Sequence, residues 1–349
     1  MLFLGGGYVG SIPELIKNNQ LKFYFTLTFV VTWVFFVLPI LFSITDPIIA
    51  VLVSAIGGSG PALVAIVLSG AIKPKKLETQ NLKRWTIFII FLVLISFLVV
   101  LYLGISLNTI SITILILIIV NAVIAAYIIT GGLAAHEGIR ELLNKLYIWK
   151  VGLKWYIVAL LIFPAITYLS LFFGVFTTGS PLSEILPQIS INALYGAILS
   201  FFYITLIRGP LREEIGWRGF ALPRLQNLYS PLVATLILAV IWTVWHLPLY
   251  YNGMYPGGFD AFLTRFTWNI GLTFLFTWIY NHTRGSLLLV TLFHGSINTV
   301  GTLIITPPSI SGPYSLAYIA LINIAAIVVI IVDKMWRKLP EDHGAVYKY

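Results

Sequence analysis

The sequence of 349 residues contains no cysteine. This absence excludes disulfides, thiolate metal sites, a cysteine nucleophile and S-acylation. Charged residues are also scarce, because only 9% of the chain is Asp, Glu, Lys or Arg. Soluble globular domains carry about 25% charged residues, so the composition excludes a soluble globular enzyme.

Long apolar runs are what the sequence has in abundance. Apolar residues make up 59% of the chain, and the mean hydropathy is +0.97. A membrane-spanning helix takes about 20 apolar residues. The runs predict ten spans, at 23–44, 47–72, 85–104, 110–129, 156–176, 189–209, 231–250, 266–281, 286–305 and 315–332. We therefore predict an all-α fold, a polytopic transmembrane helical bundle that forms a single integral membrane domain over residues 1–349.

The positive charge of the chain follows this predicted topology. The formal net charge is +9, with 21 Lys and Arg against 12 Asp and Glu. With ten spans, all 21 basic residues except Arg265 are predicted on one side of the membrane. Cytoplasmic loops are enriched in Lys and Arg, so we predict that both termini are cytoplasmic. The charge then reports topology and attraction to the lipid bilayer, and it does not indicate a nucleic-acid partner.

Ionisable side chains inside the predicted membrane are confined to the second half of the chain. Such groups are costly in a bilayer and are therefore functional candidates. The five spans before residue 180 contain none. Glu213 and Glu214 extend an apolar helix, His246 lies late in the seventh span, and His294 lies in the middle of the ninth. These residues define the candidate site.

The two adjacent carboxylates are predicted to have different roles. Glu214 and Arg218 are four residues apart, so on a helix they share a face and can form an ion pair that supports the structure. Glu213 points about 100° away, on the strip with Gly209 and Gly216, where the helix surface is bare. A free, desolvated carboxylate suits a general base. The alternative is an ordinary cytoplasmic helix end with solvated charges.

Two further pairs repeat the four-residue spacing. Trp242 and His246 would place an indole against an imidazole, and His294 and Asn298 would place an imidazole beside a carboxamide. A single buried His is often only a satisfied core residue, but two of them beside a bare Glu favour one shared site. The same geometry makes the helix of about 189–220 too long for a bilayer, so we expect it to protrude or to kink at Gly209–Pro210.

Together, the EExxxR motif at 213–218, the aromatic residue four before His246 and the HxxxN motif at 294–298 resemble the CPBP family of intramembrane proteases. That family, also called Abi, includes CAAX-processing endopeptidases of the Ras-converting type and bacteriocin-processing or immunity proteins. The resemblance covers roughly 189–305. The surrounding GWRGFALPRLQ at 216–226 is similar to the prokaryotic branch, which implies the plasma membrane of a prokaryote. Trp242 is a departure, because the family more often has Phe there.

The resemblance implies hydrolysis of a peptide bond in a membrane-associated or prenylated protein or peptide. Glu213 with His246 would polarise the attacking water, and His294 and Asn298 would donate hydrogen bonds to the oxyanion. Zinc stays possible, because Glu213, His246 and His294 also make a ligand set, and the family has been described both as metalloproteases and as glutamate-dependent proteases. No carboxylate that would orient either histidine is visible near it in the sequence, which weighs against a tightly held zinc.

Two other functions stay open at this point. One is a proton-coupled transporter that uses the intramembrane Glu and His groups, although transporters usually have repeated halves and these groups lie in one half. The other is a non-cleaving immunity or sequestering protein. In either case the helices that carry the motifs join through turns on the Arg-rich side. We therefore expect the site to open to the cytoplasm.

Overall fold

A computed structural model describes residues 12–79, 81–106, 108, 110–184, 191–303 and 311–340. Within these ranges the chain is helical and contains no β-strand, which confirms an all-α bundle. The α-helices are α1 (Ile12–Asn18), α2 (Gln20–Leu41), α3 (Pro47–Gly57), α4 (Gly60–Ile72), α5 (Asn81–Tyr102), α6 (Ile112–Thr130), α7 (Glu137–Asn144), α8 (Leu153–Thr178), α9 (Ile191–Ile207), α10 (Pro210–Gly216), α11 (Leu222–Leu228), α12 (Pro231–Trp245), α13 (Gly258–His282), α14 (Leu287–Leu303) and α15 (Ser311–Val332).

Among the described residues, seven helical segments are long and apolar enough to cross a membrane. They are Gln20–Leu41, Pro47–Ile72, Asn81–Tyr102, Ile112–Leu133, Leu153–Thr178, Ile191–Leu228 and Gly312–Val332. The three other predicted spans correspond to the shorter apolar helices α12 and α14 and to the 25-residue helix α13. The protein is thus an integral membrane protein, and the number of ten spans stays a prediction. The ends of two predicted spans, at 189–190 and 304–305, lie outside the described residues.

The second predicted span is two helices joined at a tight break. Asp46 caps α3 by accepting hydrogen bonds from the backbone of Ile48 and Ile49, and Pro47 fits the first helical position. The chain then turns at Gly58 and Ser59 before α4 begins. A Cβ atom at Gly60 would lie 2.2 Å from the hydroxyl of Thr32, so α2 and α4 touch through this glycine.

The long segment from 191 to 228 is interrupted twice. The first interruption is Gly209, whose φ of 145° ends α9 and starts α10 at Pro210. It confirms the expected kink, although the predicted span boundary at 209 is too early because the helix continues. The second is a π-helical turn, Trp217–Ala221, which the sequence did not reveal. Lys145 donates to the carbonyl of Gly219 within this turn, at 3.1 Å.

Arg212 joins the N-terminal helices to the motif helices. Its side chain is completely buried, and no carboxylate of the described residues forms an ion pair with it. One Nη donates to the carbonyl of Ala55 at 2.9 Å, the hydroxyl of Ser59 at 3.0 Å and the Oδ1 of Asn121 at 2.7 Å, and the other donates to the carbonyl of Asn121. From the sequence, this residue counts only among the basic residues that indicate topology. The helices that carry no motif therefore supply the acceptors for a cation next to Glu213.

Candidate active site

The ion pair between Glu214 and Arg218 forms as predicted. Arg218 Nη1 lies 3.0 Å from Glu214 Oε1, and both side chains are fully buried. The same carboxylate oxygen lies 2.8 Å from His294 Nδ1. The expectation that no carboxylate orients either histidine is therefore wrong for His294, because its partner is 80 residues away in the chain. Glu214 supports the structure and also fixes an imidazole of the site.

One of the two carboxylate oxygens of Glu213 is fixed by a hydrogen bond. Its Oε2 accepts a hydrogen bond from Trp242 Nε1 at 2.7 Å. Its Oε1 lies over Gly209, where a Cβ atom would come within 2.4 Å of it. The predicted bare strip is therefore real at Gly209. It is wrong at Gly216, which packs against the hydroxyl of Tyr24 and the carbonyl of Pro61 instead of facing the site.

His246 has both ring nitrogens occupied. Its Nδ1 lies 2.7 Å from the carbonyl oxygen of Trp242, and its Nε2 lies 3.2 Å from Arg265 Nη2. A carbonyl only accepts and a guanidinium only donates, so the proton is on Nδ1 and Nε2 is the acceptor. The Trp242 and His246 rings are 5.5 Å apart and tilted by 63°, so they meet edge to face. The predicted contact exists, but the backbone carbonyl and Arg265 hold the imidazole.

Asn298 lies one helical turn after His294 on α14 and is partly buried. Among the described residues no hydrogen bond to its carboxamide is found. His294, in contrast, packs edge to face against Trp242 and Phe276, with ring centroids 5.6 and 5.2 Å away. The structure thus brings Glu213, Glu214, Trp242, His246 and His294 into one cluster and leaves Asn298 at its edge.

A cavity of about 40 Å³ lies beside Glu213 and His246. This volume has room for a few water molecules. Its walls come from the last turns of α2, the second half of α3, the end of α12 and the segment that follows α12, and they include Phe36, Val51, Arg208, Met254 and Tyr255. For α2 and α12, the lining residues lie toward the end opposite to the Lys- and Arg-rich turns. The expectation that the site opens toward the Arg-rich side stays a prediction.

The positions of the arginines also correct the charge pattern. Arg208 is exposed and lines the cavity, so it lies at the same end of the bundle as Arg265. Arg212 and Arg218 lie inside the bundle, where both are completely buried. Arg265 itself, the exception in the predicted topology, contacts His246. Its isolation among the basic residues was the signal that could have marked it as a site residue.

The described residues contain no group of three His, Cys, Asp or Glu that could hold a metal ion. Two of the three candidate zinc ligands are already engaged by hydrogen-bond donors. Glu213 accepts from an indole, and the free lone pair of His246 faces the guanidinium of Arg265. A fixed cation 3.2 Å from a ligand nitrogen opposes a divalent ion there.

Comparison with known proteins connects this geometry to a family. Residues 195–300 match the family described as Rce1-like, type II CAAX prenyl endopeptidase. The chain is also 28% identical over 197 residues to CAAX prenyl protease 2 of Methanococcus maripaludis, strain DSM 14266, a match that covers 52% of this chain and 70% of that protein. The matched region contains Glu213, Glu214, Arg218, His246, His294 and Asn298. Both findings support the resemblance to the CPBP family and to its CAAX prenyl endopeptidase-type proteases.

Proposed function

We propose that this enzyme hydrolyses a peptide bond in a membrane-associated, prenylated protein or peptide, with Glu213 as the general base. One observation carries the proposal. Glu213 is buried, one of its oxygens is fixed by Trp242, and its side chain lines a cavity large enough for water. A general base has to lie within hydrogen-bond reach of the water that it activates, and this carboxylate meets that requirement.

The reaction follows from these positions. Glu213 takes a proton from the water, and the hydroxide attacks the carbonyl carbon to give a tetrahedral intermediate. The proton then passes from Glu213 to the leaving nitrogen as the carbon–nitrogen bond breaks, which regenerates the carboxylate. His246 can accept a hydrogen bond from the same water only after Arg265 releases its Nε2. A substrate therefore has to displace that guanidinium before both groups act on the water.

His294 is the proposed oxyanion donor. Its Nδ1 donates to Glu214, so a second proton on the ring is available from Nε2 when the imidazole is doubly protonated. Asn298 would supply a second donor from the next helical turn. Removal of one donor to an oxyanion typically costs a factor of about 10²–10³ in turnover.

We further propose that no zinc takes part through Glu213, His246 and His294. The indole on Glu213 and the guanidinium on His246 support this, because both donate hydrogen bonds where a metal would need lone pairs. Chelator treatment of the purified enzyme is the direct test. Unchanged cleavage after extensive chelation supports the proposal, whereas loss of cleavage that returns with added zinc contradicts it.

The deciding experiment does not require the substrate to be known in advance. Membrane proteomes from cells with the wild type and with Glu213→Gln would be compared for new carboxyl-terminal ends. The proposal expects at least one membrane protein to keep its intact C-terminus only in the variant. If every protein is cut equally in both, the chain binds its partner without cleaving it, as a non-cleaving immunity or sequestering protein would.

A further inference from the structure

Arg265 is a cation at the edge of the site, where Glu213 acts on it electrostatically without an ion-pair contact. Its neighbours are the imidazole of His246, the hydroxyl of Tyr250 and the rings of Tyr255 and Trp268, the rings at 5.0 and 5.1 Å. Its Nε is enclosed and makes no hydrogen bond. None of the described carboxylates forms an ion pair with it. A partly buried guanidinium with an unused donor is costly, and an anion from outside the chain would satisfy it.

The exposed Arg208 is the other cation at this end of the cavity. Water screens an exposed charge, so Arg208 needs no partner. Arg265 differs because it is enclosed and because it directly contacts the imidazole proposed to act on the water. An anion that binds Arg265 would therefore change the contact of Arg265 with His246, the imidazole proposed to act on the water.

We propose that Arg265 binds the C-terminal carboxylate of the peptide substrate and releases His246 as it does so. This inference rests on the proposed function. A carboxylate matches the planar donor edge of a guanidinium, and every linear peptide carries one at its end. Arg265 lies one imidazole ring beyond the cavity, and extended chain advances about 3.3–3.6 Å per residue. The bound carboxylate therefore belongs to a residue only a few positions after the scissile bond.

Binding of the carboxylate would also free the ring nitrogen of His246 that Arg265 occupies. In the structure Arg265 Nη2 occupies the lone pair of Nε2. A carboxylate is a stronger acceptor for a guanidinium than a neutral imidazole, so the arginine turns toward the substrate. Nε2 then becomes free to accept from the water. Cleavage would thus begin only when a chain end is in place.

The test uses three prenylated peptides of one sequence on the purified enzyme in lipid vesicles. The first ends in a free acid, the second in an amide, and the third continues for ten residues to a distant free acid. We expect the wild type to cleave the first peptide faster than the other two by roughly 10- to 100-fold in kcat/KM, the effect of a charge-assisted hydrogen-bonded pair. Arg265→Gln should abolish this preference, and Arg265→Lys should retain part of it.

Arg208→Gln is the matched control, because it removes the other cation at the same end of the cavity. Its ratio of free acid to amide should equal that of the wild type. Thermal unfolding in detergent verifies that each variant is folded. Equal cleavage of acid and amide by the wild type, or loss of the preference in Arg208→Gln instead of Arg265→Gln, overturns the inference alone. If the wild type cleaves none of the peptides, the proposed function fails together with it.

Discussion

A single nitrogen atom of Trp242 holds the proposed catalytic carboxylate. The indole Nε1 donates to Glu213 Oε2 at 2.7 Å, and a Phe at this position would have no such donor. The sequence predicts the contact of Trp242 with His246 from their four-residue spacing, but it does not reveal the partner of a nitrogen 29 positions away. The hydrogen bond means that one oxygen of Glu213 stays fixed while the other faces Gly209.

Trp242→Phe should therefore slow cleavage without unfolding the protein. A hydrogen bond to a charged group contributes about 1.5–3 kcal/mol, which corresponds to a loss of roughly 10- to 100-fold in kcat. Trp245→Phe is the matched control, because the Nε1 of Trp245 is buried without a hydrogen-bond partner. Turnover of a saturating peptide would be measured for both. A kcat for Trp242→Phe no lower than that of the control would remove the proposed role of the indole.

Substitutions of the adjacent carboxylates Glu213 and Glu214 should have different effects on cleavage and on folding. Glu213→Gln should abolish cleavage and leave folding intact, because an amide cannot take the proton of water. Glu214→Gln leaves buried Arg218 without its partner, which can cost about 3–5 kcal/mol of stability. Adding Arg218→Gln should restore folding of the Glu214 variant but little activity, because Glu214 also orients His294.

Detergent-resistant folding and peptide cleavage, measured on the same preparations, distinguish these outcomes. The assignment of the base is wrong if Glu213→Gln cleaves normally while a well-folded Glu214→Gln variant is inactive. The i,i+4 spacing was enough to predict the pair of Glu214 and Arg218. The contact of Glu214 with His294 joins two helices, and no local rule predicts it.

Among the structural elements, the interrupted helix from 191 to 228 shapes the site. Length arithmetic predicted the kink at Gly209, because a bilayer accommodates only about 20 residues of helix. The π-helical turn at Trp217–Ala221 was not predictable, since its residues are also compatible with an ordinary α-helix. Gly209 combines two requirements, a φ of 145° and a clear space for the Glu213 carboxylate.

Gly209→Ala should damage both stability and activity. An alanine is strained at this φ, at a cost of about 1–3 kcal/mol, and its Cβ would displace Glu213 Oε1. Gly196→Ala is the control on the same segment, because it lies inside α9 and its Cβ would meet nothing within 4 Å. That change should be neutral or slightly stabilising. Melting in detergent and cleavage rate would be measured for both, and equal behaviour of the two variants contradicts the assigned role of Gly209.

At the scale of the whole molecule, the cavity lies toward the ends of α2 and α12 that are opposite to their basic turns. If both termini are cytoplasmic, as we propose for a prokaryotic plasma membrane, the substrate reaches the cavity from the outer side. The cysteine-free chain makes this easy to test. Tyr251→Cys places a thiol at an exposed position near the cavity, and Asn227→Cys places one at the end of α11.

A membrane-impermeant thiol reagent applied to intact cells should label position 251 and not position 227. After the membranes are opened, both positions should react, which verifies that each thiol is accessible. Labelling of 227 alone in intact cells would mean that the topology is inverted. The positive-inside pattern would then have failed for this chain, and the cavity would face the cytoplasm.

The role of the N-terminal helices was the part of the molecule that the sequence revealed least. These spans contain no ionisable residue and no motif, so they offered no functional signal. The structure shows that Ser59 and Asn121 accept hydrogen bonds from Arg212, across separations of 153 and 91 residues. Polar residues of this kind in apolar helices become interpretable only when their distant partner is known.

Arg212 has a consequence for how the protein is made. Its acceptors, the carbonyl of Ala55, Ser59 and Asn121, all precede it in the chain, so during synthesis they emerge from the ribosome first. A nascent arginine that enters the membrane therefore finds its binding site already inserted. The reverse order would leave a bare cation in hydrocarbon until later helices arrived. A fragment that begins at α9 would lack that site altogether, so we expect the segment with all the motifs to leave Arg212 without acceptors when it is expressed alone.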